Sequence, residues 1–185
     1  MRVESLKIWR VPTDDKQSMK ITLEQSKNLR SYKPILDGLI DDFGYIYYRA
    51  ILEWCGFLGK WNGGFWRVWI IKEGKTVIGI CGLYSLIPGT KELWLGWFGI
   101  VPGKRNLGRG SIVLKQLEYK AKRLGCEILR TYVDKTGKPI PFYIKNGFKR
   151  VCSVGHFCSK NRLDLKEFES PNDHILQKRL RVVKG

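Results

Sequence analysis

The stretch Leu93–Gly125, LWLGWFGIVPGKRNLGRGSIVLKQLEYKAKRLG, changes character twice. It opens as a run that is apolar on both faces, the pattern of a strand covered on both sides. Val101–Gly110 then packs three cationic side chains and three glycines into ten residues. From Arg109 the apolar residues Val113, Leu117, Ala121 and Leu124 recur at helical spacing, with Lys115, Lys120, Lys122 and Arg123 largely off that stripe. Gly125 supplies the usual helix stop. The reading is strand, glycine-containing loop, helix.

That order builds an anion site from backbone alone. The first N–H groups of a helix lack intrahelical acceptors, and the macrodipole places partial positive charge at the same end. Gly108 and Gly110 remove side chains that would hold a phosphate away from those amides. Arg105 and Arg109 can add charge-assisted contacts, and Ser111 a hydroxyl. The spacing is neither G-x-G-x-x-G nor G-x-x-x-x-G-K-[ST], so the dinucleotide and P-loop motifs do not fit. A plain basic turn is the alternative. Gly96 and Gly99 are unusual inside a strand, and mark a bulge, a ligand's close approach or room for packed tryptophans.

Upstream, RVESLKIWRV predicts an opening strand. TLEQSKNLRS predicts a helix, with Thr22 and Gln25 at capping-box spacing. A further helical region, entered at Pro34, runs to about Trp61 and is broken near Gly44. FWRVWIIKEGKTVIGICGLYSL reads as two strands joined by a hairpin, and KELWLGWFGIV as a third strand. Downstream, CEILRTYV is a strand, KPIPFYIKNG a short helix entered through proline, FKRVCSVGHF a strand and DHILQKRLRV a last strand. The expected fold class is α/β, in one domain spanning 1–185.

The chain has 185 residues, with 43% hydrophobic and 28% charged, a globular balance. No apolar run is long enough to span a bilayer, and the start lacks a secretory h-region. A soluble cytoplasmic protein is expected. Five scattered cysteines without C-x-x-C spacing, and two histidines, argue against a metal site and for reduced thiols. The net charge of +17 is uneven. Residues 1–100 carry 14 Lys/Arg against 10 Asp/Glu, and residues 101–185 carry 20 against 7. Such a field draws a phosphorylated cofactor, nucleic acid or an anionic surface, or else is a solvated basic face.

VPGKRNLGRG resembles the R-x-x-G-x-G/A acetyl-CoA signature of the GNAT superfamily of N-acetyltransferases, with Arg105, Gly108 and Gly110 on its named positions. PFYIKNGF, Pro141–Phe148, resembles the family's F/L-Y-x-K-x-G-F segment, in the right order and at a typical separation. The element order from Phe65 to Leu180 follows the family too. The resemblance implies a mixed, mostly antiparallel sheet flanked by helices, with splayed central strands. It implies an acyltransferase that moves acetyl from acetyl-CoA, as co-substrate, to a primary amine of a small molecule or peptide by direct attack.

By the same resemblance, Phe98, Gly99 and Ile100 would pair with the pantetheine arm and supply an oxyanion-stabilising N–H. Arg105, Asn106, Leu107, Gly108, Arg109, Gly110 and Ser111 would hold the pyrophosphate. Tyr143 matches the position that protonates the departing thiolate, with an aromatic packing role as the alternative. The family's usual strand glutamate falls at Trp94 here. Glu92, on the same face, is the candidate base through water, with Asp134 another and a surface carboxylate the alternative for both. DKTGKP departs from the common Asn-x-x-Ala pattern, which puts a cofactor contact by that loop in doubt.

The N-terminal helices to about residue 61 would form the acceptor side. Asp37, Asp41, Asp42 and Glu53 could meet a cationic amine there, and Trp54, Trp61 and Trp66 could wall it. Nucleic acid is the second choice of partner, through an RNA-associated acceptor such as aminoacyl-tRNA or a ribosomal protein. A non-catalytic acetyl-CoA sensor is a third reading. No membrane partner is expected, and the oligomeric state is open, a homodimer included.

Overall fold

A computed structural model describes residues 20–25, 33–39, 66–164, 168 and 170–180. In chain order these form β1 (Ile21–Gln25), α1 (Lys33–Asp37), β2 (Trp66–Glu73), β3 (Thr76–Tyr84), β4 (Glu92–Ile100), a 3-10 turn (Pro102–Lys104), α2 (Arg109–Arg123), β5 (Ile128–Val133), α3 (Ile140–Lys145), β6 (Lys149–Ser153), α4 (Val154–Asn161) and β7 (His174–Arg179). The strands make one mixed, mostly antiparallel sheet in the order β1-β2-β3-β4-β5-β7-β6. The predicted α/β class and flanking helices are those observed.

The described residues fall into two compact units, one holding 20–25, 33–39, 66–82 and 97–117, the other 83–96 and 118–180. In the first, β2 and β3 are joined by Gly74 and Lys75, with Gly74 at φ +59°, a left-handed turn position that favours glycine. Ile70, Ile71, Ile78 and Ile80 from this hairpin are fully buried with Val113, Leu114 and Leu117 of α2. β1 pairs antiparallel with β2 from Ile21–Glu73 to Gln25–Trp69.

β1 corrects the helix predicted over TLEQSKNLRS. Ile21 and Leu23 are buried two residues apart while Glu24 and Gln25 are exposed. That is a period of two, and pairing with β2 overrides the local capping signal of Thr22 and Gln25. The predicted strand at 2–11 lies outside the described residues, as does the predicted helical region beyond residue 39.

In the second unit, Trp94, Val154, Phe157, Cys158, Phe168 and Ile175 form a buried aromatic-rich cluster. The rings of Phe157 and Phe168 meet Trp94 edge-on, with centroids 5.2 and 6.0 Å away. β5 pairs antiparallel with β7 along all six residues. β6 lies at the sheet edge, paired with β7 and irregular between Arg150 and Cys152. The strand predicted over FKRVCSVGHF stops at Ser153, whose hydroxyl caps α4 by accepting from the His156 N–H at 3.3 Å. The last residue of the predicted α2 stripe, Leu124, is 41% exposed beyond the helix end. Cys81, Cys126, Cys152 and Cys158 are free thiols.

Candidate functional site

β4 is where the fold departs from regular geometry. Its parallel ladder with β5 covers only Glu92–Ile128, Leu93–Leu129 and Trp94–Arg130. Three residues on, Trp97 sits at φ +54°. A bulky residue in the left-handed region inside a strand is strained by about 1–3 kcal/mol and needs its surroundings to hold it. The distortion expected from Gly96 and Gly99 is thus carried by Trp97, next to Gly96. Gly96 has a packing reason, since a Cβ there would stand 3.1 Å from the Tyr84 ring. Gly79 of β3 has a backbone reason: a Cβ there would stand 2.1 Å from the Gly99 carbonyl oxygen. Gly79 was missed in the sequence, although glycine inside the run TVIGICGLY is the same signal that singled out Gly96 and Gly99.

The loop after β4 is held at several points. The Arg105 Nε donates to the Ile100 carbonyl at 2.5 Å, tying the loop back to the strand end. Asn106 (φ +61°) and Gly108 (φ +74°) are both left-handed, with Leu107 between them not so. Alternation of this kind turns successive N–H groups toward one side as a concave nest. The Gly108 carbonyl accepts from Ser111 N–H at 3.1 Å and Ile112 N–H at 3.3 Å, starting α2. Among the described residues, none accepts from the backbone N–H groups of Asn106, Leu107, Gly108, Arg109 or Gly110. Asn106, Leu107 and Gly108 are exposed, so these donors are open to a ligand.

Arg109 does not do what the sequence suggested. Its guanidinium is buried, with Nε 2.7 Å and Nη2 2.6 Å from Oε1 of Glu73 at the end of β2. Lys104 Nζ reaches the other oxygen of Glu73 at 3.2 Å. One carboxylate therefore clamps residues on both sides of the nest. Burial alone would push the Glu73 carboxyl up, but hydrogen bonds from Arg109 and Lys104, with their charges, outweigh it and hold the group below its ordinary value. The Arg109 backbone N–H is one of the open donors, while its side chain braces the loop. Glu73 was missed because 36 residues separate it from Arg109, and in sequence it looks like a turn charge.

In the second unit, Tyr143 on α3 is 6% exposed, between Phe142 and Phe148 at ring distances of 5.1 and 5.4 Å. Burial pushes its phenol up to about 12, against a smaller opposing effect of a hydrogen bond with Thr131. It remains protonated throughout the physiological range.

Glu92 has another occupation than the expected one. Arg130 donates Nε to one of its oxygens at 3.0 Å and Nη2 to the other at 2.7 Å. Arg130 also donates Nη1 to Gln177 at 2.6 Å, and its guanidinium carbon lies 5.1 Å from the Phe157 ring centre. A bidentate pair joining three neighbouring strands is a structural use of a carboxylate. Asp134 likewise accepts from the Thr136 N–H at 2.6 Å and from the Thr136 hydroxyl. Hydrogen bonds from Thr136, opposed by burial, keep its carboxyl low, as a turn cap rather than a base. Asp37 on the expected acceptor side pairs with Lys33 at 2.9 Å. Asp41, Asp42, Glu53, Trp54 and Trp61 lie outside the described residues, and the Trp66 side chain does too. No group of His, Cys, Asp and Glu among the described residues is arranged to hold a metal ion.

The whole architecture has many structural counterparts. An acetyltransferase of the GNAT family from Staphylococcus aureus superposes with a TM-score of 0.62 at 19% identity, over 87% of this chain and 99% of that one. A Bacillus subtilis acetyltransferase in complex with CoA gives 0.60 at 17% identity, over 88% and 99%. A chimaera built on the spermidine N-acetyltransferase of Vibrio cholerae gives 0.65 at 14%, over 86% and 95%. No curated protein matches the chain in sequence. The fold is the one shared by these acetyltransferases. Residues 64–150 match the family model for the acetyltransferase (GNAT) domain. No helix among the described residues is long and apolar enough to cross a membrane.

Proposed function

We propose that the protein transfers the acetyl group of acetyl-CoA to a primary amine of a small molecule or peptide. The observation that carries this reading is the row of five consecutive unpartnered N–H donors, Asn106–Gly110, leading into α2. A pyrophosphate satisfies several such donors at once without needing the Arg109 side chain. Solved relatives of the fold bind CoA, and one is named for spermidine, a polyamine.

The distorted strand at Phe98–Ile100 offers its backbone to the pantetheine arm and an N–H to the oxygen of the reacting carbonyl. The amine attacks the thioester carbonyl carbon, the C–S bond breaks, and Tyr143 donates a hydrogen bond or proton to the departing sulfur. A phenol near 12 cannot be lost to solvent as phenolate at neutral pH, so the donor is always loaded. Glu92 is not assigned as base, because both of its oxygens are committed to Arg130. An amine that arrives neutral needs none before attack, and the proton its nitrogen loses as the amide forms replaces the one that Tyr143 gives to sulfur.

Tyr143→Phe keeps both ring contacts and removes only the hydroxyl. It should lower kcat by roughly 100-fold, the lower range for a lost acid, with little change in KM for acetyl-CoA. Unchanged turnover would return Tyr143 to a packing role. The function itself is tested by thiol release from acetyl-CoA with a panel of polyamines, aminoglycosides, amino acids, peptides and aminoacyl-tRNA. Release with an amine supports the reading. CoA binding without release on any amine would make the protein a sensor, and release only with aminoacyl-tRNA would make the acceptor RNA-borne.

A further inference from the structure

β5 alternates in burial, with Leu129, Thr131 and Val133 inside on one face. Arg130 and Tyr132 point the other way, to the rings of Phe157 and Phe168. Thr131 is thus the polar member of an otherwise aliphatic row, 3% exposed between Leu129 and Val133. Valine has nearly the same shape and would fill that place with no hydroxyl to satisfy. The local backbone offers the hydroxyl little. Its contact with the Tyr132 carbonyl is 3.4 Å, beyond the roughly 2.5–3.0 Å of a well-formed O–H···O bond. Its other partner is the side chain of Tyr143, to which it is hydrogen-bonded.

The meeting is fixed from the Tyr143 side as well. α3 is only six residues long, yet its end is tied at several points. The Tyr143 carbonyl accepts from the N–H groups of Asn146 and Phe148, both at 3.0 Å. The Asn146 side chain donates Nδ2 to the Phe142 carbonyl at 2.8 Å. Lys178 of β7 donates Nζ to the Asn146 carbonyl at 2.8 Å while paired with Glu118 of α2 at 2.6 Å. β7 in turn is paired with β5, with Leu176 opposite Thr131. The backbone that carries Tyr143 is therefore anchored to the strand pair that carries Thr131, and the Tyr143 ring lies against those of Phe142 and Phe148. Little freedom is left to the phenol beyond its hydroxyl proton.

We infer that Thr131 is a positioning residue for the step in which CoA leaves, holding the Tyr143 hydroxyl and donating to its oxygen as the phenol gives up its proton. This inference rests on the acetyl-transfer reading above. A threonine hydroxyl is both donor and acceptor and turns about its C–O bond to suit its partner. As the C–S bond breaks, the Tyr143 proton passes to sulfur and negative charge develops on the phenol oxygen. The Thr131 O–H donates to that oxygen and keeps its own proton. The phenol regains a proton from the one the amine nitrogen loses as the amide forms. A hydrogen bond to a charged oxygen is roughly twice as strong as one between neutral groups. The contact therefore favours the reacting state over the resting one, which is what lowers a barrier. In the resting protein the same bond already opposes the effect of burial on the phenol.

The test combines steady-state kinetics of thiol release with carbon NMR of the full chain, labelled at tyrosine Cζ, the ring carbon that bears the hydroxyl. The Tyr143 signal is the one missing from Tyr143→Phe. Thr131→Val should lower kcat at least about tenfold, the effect of one hydrogen bond to a charged oxygen, and leave KM for acetyl-CoA as in the parent. Thr131→Ser should restore most of the turnover. Thr131→Ala, which puts no methyl where the hydroxyl stood, should behave as the valine variant does. In the Tyr143→Phe background, Thr131→Val should cost no further turnover. The Tyr143 Cζ signal should move in the Val and Ala variants and stay near its parent position in the Ser variant. Parent-like turnover in the Val and Ala variants would overturn the inference. So would a loss as large in the Tyr143→Phe background as in the parent, which a merely structural role predicts, or a Cζ signal that neither substitution moves. Absence of thiol release by the parent with every amine is a different failure: it ends the acetyl-transfer reading, and this role with it.

Discussion

Gly79→Ala is expected to destabilise the protein by about 3 kcal/mol, at the upper end for added volume in a packed interior. For a chain of this size that corresponds to a melting temperature lower by roughly 10 °C. The new methyl group would lie 2.1 Å from the Gly99 carbonyl oxygen and 3.1 Å from both the Gly99 carbonyl carbon and the Ile100 Cα. All three are backbone atoms, so no rotamer change relieves the overlap, and β3 and β4 must separate. Ile78 and Ile100 are tied to that contact through the Val101 N–H, which donates to the Ile78 carbonyl at 2.9 Å. The strain reaches Phe98–Ile100, so acetyl-CoA binding should weaken along with stability. Gly103→Ala is the control. A Cβ there meets nothing within 4 Å and its backbone is not left-handed, so its melting should not move. Differential scanning calorimetry of the two variants decides the matter, and a G79A protein that melts like the parent would show that Gly79 is not the point of closest approach.

What the sequence could and could not reveal follows the range of the forces involved. The strand–loop–helix at 92–123 was legible because its determinants are local: apolar runs, left-handed glycine at Gly108 and helical spacing from Arg109. The short helix at Ile140–Lys145 was legible from Pro139 and Pro141 at its start. β1 was not, because Thr22 and Gln25 mimic a cap and only the partner strand reveals that Ile21 and Leu23 share a buried face. α4 was hidden because its apolar residues continue the composition of β6 past Ser153, the residue that caps the helix. At the loop, the donors were foreseen and the bracing was not. The guanidinium of Arg109 is directed by a carboxylate that sequence cannot place beside it, and Glu92 is occupied by Arg130, 38 residues away. Motif residues tell where the backbone leaves its donors open. They do not tell which side chains are already engaged elsewhere.

Glu73→Ala should be the most damaging change among the charged residues. It leaves the Arg109 guanidinium, whose side chain is 9% exposed, buried without its counter-ion, and Nη1 of that group already has no hydrogen-bond partner. Breaking a buried pair from one side costs about 3–5 kcal/mol, because the surviving charge stays desolvated. The Lys104 contact adds little, since that side chain is 38% exposed and screened. The functional cost is separable from the energetic one. Lys104 and Arg109 lie on either side of the nest, so losing their common anchor frees both of its ends, and KM for acetyl-CoA should rise at least about tenfold while kcat falls less. The pH dependence has a definite sign. A carboxyl held below its ordinary value of 4.5 contributes fully above about pH 4.5 and loses that contribution as pH falls through the lowered value. Acid unfolding of the parent should therefore steepen below pH 4.5, and the Ala variant should lack that component. The double variant Glu73→Leu with Arg109→Met replaces the pair by apolar groups of similar volume and should recover most of the stability. If KM stays high in that stable double variant, Glu73 acts by positioning the loop. If KM returns to the parent value, the clamp serves the fold alone, and the cradle is held by the Arg105–Ile100 bond and the start of α2.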